Sequence, residues 1–556
     1  MAKITGGDIL VKALKNEGVD TIFNLPGDPM GPISNGYKTE GMKVYSFRHE
    51  QATALAAQAY AYAAKKVGVG IVPSGPAMTN AITGLMTAWS ACLPLLVIGG
   101  NGERSRRFQG DFQEAPQVET AAPFCKWSAS IEDPRQVPYY VNQAVRKIMH
   151  GRPQPVYLDM PSNVIAGRVE EEELTYMPPV EPAPRPLADP AYVKRAVELI
   201  SRAQRPLLLI GKGLAWSDAQ SEVKQLVDRL QIPFVPSPMG KGVVPDDHPL
   251  NAQGARTYAL QNADLVILAG ARFNWIFHFG AAPRFSPDVK VVQIDIDPSE
   301  IGNGHRADVG LVGDGKAVFS QILQEVGRSQ RPIETPWLQA LETEKKKNAD
   351  SIAPMINSTD NPMNMYAMYR EITRMMARDA YVSADGENTM ALSRVMVSNY
   401  LPRHRIDAGE SGCMGVSTPY AIGLKAAAPD KQVFSFNGDY AFGWNGFEVE
   451  TASRHNLPVI FVVANNVSVG GPQQAQLGSR LESPEQPEGI HYDKVMEAFG
   501  GNGFYIERQE QIRPALEQAL ASRNKPSLLN IVIDKRARRR QQTHDWMTGR
   551  STRMQY

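Results

Sequence analysis

Cysteine is scarce in this chain, net charge is almost nil and long apolar runs are missing. The 556 residues include three cysteines, Cys92, Cys125 and Cys413, far apart and odd in number. That excludes a disulfide framework and a cysteine-based metal centre, and a reducing cytoplasm fits best. Lysine and arginine number 59 against 58 aspartates and glutamates, a formal net charge of +1, so no nucleic-acid partner is expected. No stretch approaches the roughly 18 consecutive apolar residues of a membrane span, so no membrane partner is expected either. Met1 to Asp8 lacks the apolar core of a secretory signal, and Met554-Gln555-Tyr556 is not a peroxisomal address. Repeats at solenoid periods are absent from the sequence.

What is present is an alternation of helix and strand signals over a length that suggests three or four domains, at about 150 residues each. Residues 1–185 read as a parallel α/β domain: apolar runs at Thr21 to Leu25, Val44 to Phe47, Gly68 to Pro73 and Pro94 to Gly99 are strands, and the Ala-rich stretch from Gln51 to Ala64 is a helix. Pro178, Pro179, Pro182, Pro184, Pro186 and Pro190 mark a linker. Residues 190–350 form a second α/β unit with strands at Arg205 to Gly211, Asp264 to Ala269 and Lys290 to Ile294. Its polar end, containing Glu344 to Lys347, reads as a solvated helix and linker. Residues 360–556 make a third domain, similar in plan to the first.

The third domain holds the most informative pattern. Gln432 to Phe436 and Leu457 to Ala464 read as buried parallel strands, with Gly443 to His455 at helical spacing between them. Asp439 then follows one strand and Asn466 the next, 27 positions later (466 − 439), which suits one strand–helix–strand crossover. Both side chains fall on the rim where open parallel sheets bind ligands. A carboxylate and an amide carbonyl are hard oxygen ligands that suit Mg²⁺, and a helix starting at that rim suits a diphosphate. A Gly-Asp pair alone is usually an ordinary turn.

Gly438-Asp439-Tyr440 followed by Asn465-Asn466 resembles the thiamine-diphosphate motif, Gly-Asp-Gly and then Asn-Asn, with Tyr440 replacing the last glycine. The resemblance implies three doubly wound parallel-sheet α/β domains: pyrimidine-binding, central Rossmann-like and diphosphate-binding. It also implies Mg²⁺ held by Asp439, Asn466 and the Ser468 carbonyl, with Gly438 and Tyr440 beside the cofactor. Arg48-His49-Glu50-Gln51 resembles the catalytic glutamate segment, in which Glu50 shares a proton with the aminopyrimidine ring and so promotes loss of the thiazolium C2 proton. Taken alone, Glu50 is an ordinary acid at a helix start. His49 is an acid–base candidate or a structural histidine. Ser74 to Ala77 resembles the family's Ser-Gly-Pro-Gly turn, and Met414 the bulky side chain that props the cofactor into its bent shape.

Further segments look like 2-hydroxyacyl-CoA lyase and its relative oxalyl-CoA decarboxylase: Phe112 to Glu119, Gly270 to Trp275, His278 to Gly280, Arg403 to Gly409, Met496 to Gly501 and Thr543 to Thr548. The lyase matches better at Phe112-Gln113-Glu114. The implied reaction splits a 2-hydroxyacyl-CoA into formyl-CoA and an aldehyde or ketone, or runs in reverse. The alternatives are decarboxylation of oxalyl-CoA and carboligation of the acetolactate-synthase kind. Gln113 and Glu114 would orient the substrate hydroxyl or move its protons, or else belong to a polar loop. For the nucleotide of the acyl-CoA partner, Asp297 stands at a strand end, Arg152 and Lys212 resemble positions that face nucleotide phosphates in the decarboxylase, and Arg403 is a further candidate; Asp297 is equally an ordinary surface acid. The basic run Lys535 to Arg540 would approach CoA phosphates or form a solvated tail. Val467 to Gly471 departs from the relatives, at a segment that bears on substrate preference. The family further implies a homodimer or homotetramer, with Glu50 of one subunit serving the third domain of another.

Overall fold

The computed structural model describes residues 3–330, 335–467 and 489–535. Ser468 to Gly471, and everything beyond Lys535, therefore lie outside the described residues, as do the expectations attached to them.

Three parallel sheets organise the chain. The first orders its strands Lys43–Ser46, Thr21–Asn24, Gly68–Val72, Leu95–Asn101, Val156–Pro161 and Trp127–Ser130. The second runs Phe234–Pro236, Pro206–Ile210, Leu265–Ala269, Lys290–Asp295 and Val309–Val312. The third runs Arg405–Asp407, Tyr381–Ala384, Val433–Gly438, Ile460–Asn465, Ser527–Val532 and Asn502–Ile506. Numbered within each sheet, the first and third share the order 2-1-3-4-6-5, and the second is 2-1-3-4-5. This likeness of the outer domains was visible in the sequence as a similar plan. All three sheets reverse direction between their strands 1 and 3, the switch point at which doubly wound sheets open a crevice.

The interior strands are apolar on both faces, as a sheet covered by helices on both sides requires. Val433–Gly438 and Ile460–Asn465 are adjacent and parallel, with Gly438 opposite Ala464. The strand reaches Gly438, two residues beyond the apolar run, so Asp439 is the first residue of a helix. The single helix expected after it is three short pieces: Asp439–Asn445, the 3₁₀ turn Gly446–Glu448, and Val449–Arg454. Polar residues 336–356 form one helix, Pro336–Ile356, anchored by buried Trp337 and Leu341.

The outer domains meet through the helices Glu50–Ala64 and Ser417–Ala427. Small residues permit this: a Cβ on Gly423 would come within 2.1 Å of the Ala56 carbonyl oxygen, so only glycine fits at that crossing. Among the described residues, no helix is long and apolar enough to cross a membrane.

Candidate active site

The two strand tips bring Asp439 and Asn466 together, both buried. The Asn466 backbone N–H donates to Asp439 Oδ2 at 3.1 Å, and the Tyr440 N–H donates to Oδ1 at 2.7 Å. The Asn466 side-chain amide lies 3.1 Å from both carboxylate oxygens. With its nitrogen inward it donates to both. With its oxygen inward, three oxygens converge, and a hard divalent cation neutralises such a set. Among the described residues no three His, Cys, Asp or Glu cluster as metal ligands. The donor set here is one carboxylate and one amide, and its chemistry fits Mg²⁺, which fills its remaining positions from phosphate and water.

Gly386 and Gly438 pass closely at the switch point: a Cβ on Gly386 would be 3.1 Å from the Gly438 nitrogen. The helix Glu387–Met396 therefore starts beside Asp439, and no side chain caps it. Its first N–H groups suit an anionic group at this rim. Asp385, unremarked in the sequence, completes the wall. Its carboxylate accepts the Gly386 N–H at 2.6 Å and the Val416 N–H at 2.7 Å. Burial pushes its pKa up to about 6, against the pull of those donors. Asp385 thereby holds the turn that carries half-buried Met414, and Asn445 donates to the Gly415 carbonyl at 2.8 Å from the other side. The structure thus gathers Met414, Gly438, Asp439, Tyr440 and Asn466 on one rim.

Glu50 opens its helix in the first domain and is only 9% exposed. Asn80, also unremarked in the sequence, donates from its side-chain amide to Glu50 Oε2 at 3.0 Å. His49 caps the same helix: its Nδ1 accepts the Gln51 N–H at 3.1 Å, and its carbonyl accepts from Thr53. The structural role of His49 is the one seen here. The Gln51 amide approaches Cys413 Sγ at 3.9 Å, so the turns bearing Glu50 and Met414 already meet within one chain.

Ser74 and Gln113, 39 positions apart, are brought together by a 3.2 Å hydrogen bond from Ser74 Oγ to Gln113 Oε1. Gly75 makes this possible: at φ +58°, a Cβ there would come within 2.3 Å of the Gln113 carbonyl oxygen. Glu114 turns away into its own loop. Its carboxylate accepts N–H groups from Phe108, Gly110 and Asp111, and the Phe108 bond chiefly holds its pKa below the usual range. That environment suits a loop-shaping residue better than a proton carrier.

A cleft of about 390 Å³ opens at the central sheet's switch point, walled by all three domains and by the proline-rich linker. Arg152 and Lys212 both line it, with Arg272 and Asp295. Arg152 bonds Glu300 at 2.7 Å and Asp295 at 3.4 Å. Burial opposes its charge, but the neighbouring carboxylates outweigh it and raise its pKa. Burial pulls the Lys212 ammonium down to about 8. Asp297 instead caps the turn Pro298–Glu300 and pairs with Arg152 at 3.5 Å, and Arg403 is bound to Asp218 and the Ala215 carbonyl. Neither of these two lines the cleft.

An acid and an amide on neighbouring strand tips, uncapped helix starts and a buried glutamate at the head of a first-domain helix outline a thiamine-diphosphate enzyme. The descriptions of the thiamine pyrophosphate enzyme N-terminal TPP binding domain, central domain and C-terminal TPP binding domain match residues 4–120, 193–322 and 385–531. The chain is 38% identical to 2-hydroxyacyl-CoA lyase 1 of Homo sapiens over 562 residues, covering 98% of this chain and 97% of the relative. It is 35% identical to oxalyl-CoA decarboxylase of Escherichia coli K12, covering 95% of each. A probable acetolactate synthase large subunit of Methanocaldococcus jannaschii is 31% identical over 95% of this chain and 92% of its own. The chain belongs to the thiamine pyrophosphate enzyme family, in the group that holds the 2-hydroxyacyl-CoA lyases and oxalyl-CoA decarboxylases.

Proposed function

We propose that the protein is a carbon–carbon lyase that uses thiamine diphosphate and Mg²⁺ to cleave a 2-hydroxyacyl-CoA into formyl-CoA and an aldehyde or ketone, reversibly. The observation that carries this is the Asp439–Asn466 pair on neighbouring strand tips, joined to near-full-length similarity to a 2-hydroxyacyl-CoA lyase. Bound thiamine diphosphate supplies a carbon nucleophile and an electron sink.

The chain's own residues do the rest. Asp439 and Asn466 would hold the metal; the Ser468 carbonyl, the third ligand that the resemblance implies, lies outside the described residues. Gly438, Tyr440 and the uncapped helix at Glu387 would line the diphosphate end, Met414 would support the cofactor, and Ser74 would shape the turn beside it. Glu50 would hold a proton at the aminopyrimidine ring. Asn80 keeps that carboxyl oriented. Gln113, hydrogen-bonded to Ser74, orients the substrate hydroxyl. Arg152 and Lys212 meet the phosphates of the CoA nucleotide in the cleft, where a desolvated cation binds phosphate strongly.

The assembly we favour is a homodimer or homotetramer. Tyr440, Trp444 and Phe447, exposed at 41, 59 and 62%, follow Asp439 along its run of short helices and suit burial against a second copy. The free cysteines suit a reducing compartment such as the cytoplasm.

The test is to incubate the protein with thiamine diphosphate, Mg²⁺ and a panel of 2-hydroxyacyl-CoA thioesters, with oxalyl-CoA alongside. Formyl-CoA with an equivalent of aldehyde or ketone supports the lyase. CO₂ from oxalyl-CoA, with no cleavage of any 2-hydroxyacyl-CoA, assigns the decarboxylase instead.

A further inference from the structure

One buried carboxylate of the third domain holds the segment that leads into Glu50. Glu448 is 2% exposed, and its partners lie 400 positions away in the first domain. The Arg48 N–H donates to its two oxygens at 3.1 and 3.3 Å, and the His49 N–H donates to Oε1 at 3.0 Å. The Thr451 hydroxyl fills Oε2 at 2.5 Å. Neighbours reinforce the grip. The Ser46 N–H donates to His455 Nε2 at 3.0 Å, Arg454 donates to the Ser46 carbonyl at 2.8 Å, and the Arg48 guanidinium pairs with Glu450 at 3.4 Å.

We propose that Glu448 is a positioning residue that grips the backbone of Arg48 and His49 from the third domain and so sets the Glu50 carboxyl, the next residue along. This rests on the reading of Glu50 under Proposed function.

Three features carry it. First, the bonds go to main chain, so they fix the path of the segment rather than one side chain. Arg48 and His49 are the last residues before the Glu50–Ala64 helix, and His49 is extended at φ −142°, ψ 139°, so their N–H groups lie outside that helix's own ladder. Second, Glu448 lies nine residues (448 − 439) after Asp439 on one run of short helices, a path of about 15 Å at α- and 3₁₀-helical rise. Asp439 and the segment that leads into Glu50 are thereby tied through one run of the third domain. Third, a proton shared between two atoms depends steeply on their separation, so a small loosening of residues 48–49 costs rate at Glu50 far more than binding.

Protonation of Glu448 weakens the grip, because one oxygen becomes a donor facing N–H groups. Burial raises its pKa to about 7, against the pull of Thr451, Arg48 and His49. The other charged or titratable groups around it are Arg454, Glu450, the Arg48 guanidinium and the rings of His49 and His455. His455 is held below its usual pKa by burial and accepts from Ser46 as the neutral ring.

The experiment compares parent, Glu448→Gln, the milder Thr451→Val and Glu50→Gln. In the protein without cofactor, amide hydrogen exchange at Arg48 and His49 is expected to rise about tenfold in Glu448→Gln, less in Thr451→Val, and not at all in Glu50→Gln. With thiamine diphosphate and Mg²⁺ added, exchange of the cofactor's C2 proton is expected to slow about tenfold or more in Glu448→Gln, with kcat falling in step and KM nearly unchanged. The parent-to-variant ratio of kcat should grow from near one at pH 5.5 to its full value at pH 8. Unchanged protection at Arg48 and His49 in both Glu448→Gln and Thr451→Val overturns the grip. Loosened amides with parental C2 exchange, or a ratio independent of pH, overturn its role in setting Glu50. Parental C2 exchange in Glu50→Gln instead overturns the reading of Glu50 on which this rests.

Discussion

Asn80 donates a 3.0 Å hydrogen bond to Oε2 of Glu50, so the carboxyl that begins one helix is steered by a residue one turn into the next. A side-chain bond to a carboxyl is worth about 1.5–3 kcal/mol where that group is charged. Replacing Asn80 with Ala should therefore lower kcat roughly 10- to 100-fold while leaving the affinity for thiamine diphosphate within about threefold. Steady-state kinetics and calorimetric titration of the cofactor check the two halves separately.

The helix crossing at Gly423 gives a stability prediction. A methyl group there meets the Ala56 carbonyl oxygen at 2.1 Å, and that oxygen belongs to helix backbone and cannot swing aside. Gly423→Ala should destabilise the protein by about 1–3 kcal/mol, the usual cost of overpacking, despite the better helix propensity of alanine. Thermal and urea denaturation measure it.

Asp385 gives a dependence on pH. Its native pKa is raised to about 6 from 3.8, so between those values the folded state binds more protons than the unfolded state. Stability contributed at this position is present at low pH and falls as pH rises through that window, by on the order of 2–3 kcal/mol. Asp385→Asn removes the titration. The stability of the parent relative to Asp385→Asn should therefore decline between pH 4 and pH 7, measured by urea unfolding at each pH (about 4 to 7, the window set by the two pKa values).

Sequence reading brought Asp439 and Asn466 to one rim because that placement depends on local features. Two apolar strands with an acid past one and an amide past the other suffice, and Val433–Gly438 and Ile460–Asn465 are indeed neighbours. The shared order of the outer sheets followed from their similar plan. Glu50 was legible only through resemblance, since a glutamate at a helix start is commonplace. Asn80, Asp385 and Glu448 were not read. Asp385-Gly386 past an apolar strand repeats the Asp439 signal and was open to detection. Glu448 was not, because its partners are 400 positions distant and its own segment reads as an ordinary helix. That helix breaks at Asn445 and Gly446, where φ is −127° at Asn445 and the Phe442 ring packs over Gly446, and spacing alone carries no sign of it.

The assembly of the site is open to a complementation test. If Glu50 of one subunit serves the cofactor held by Asp439 of another, mixed dimers of Glu50→Gln and Asp439→Ala contain one site with both residues intact. Co-expression should then restore about a quarter of parental activity, since random pairing makes half the dimers mixed and each carries one working site. No recovery would show that each chain completes its own site, as the contact between Gln51 and Cys413 within one chain allows.

The central claim is that Asp439 and Asn466 clamp a metal-bound diphosphate, and calorimetric titration of thiamine diphosphate with and without Mg²⁺ tests it most directly. The parent should bind tightly only with Mg²⁺, while Asp439→Ala, folded by circular dichroism, should lose about 100-fold or more in affinity together with the metal dependence. Equal affinity in parent and Asp439→Ala, or tight binding that ignores Mg²⁺, would contradict the account.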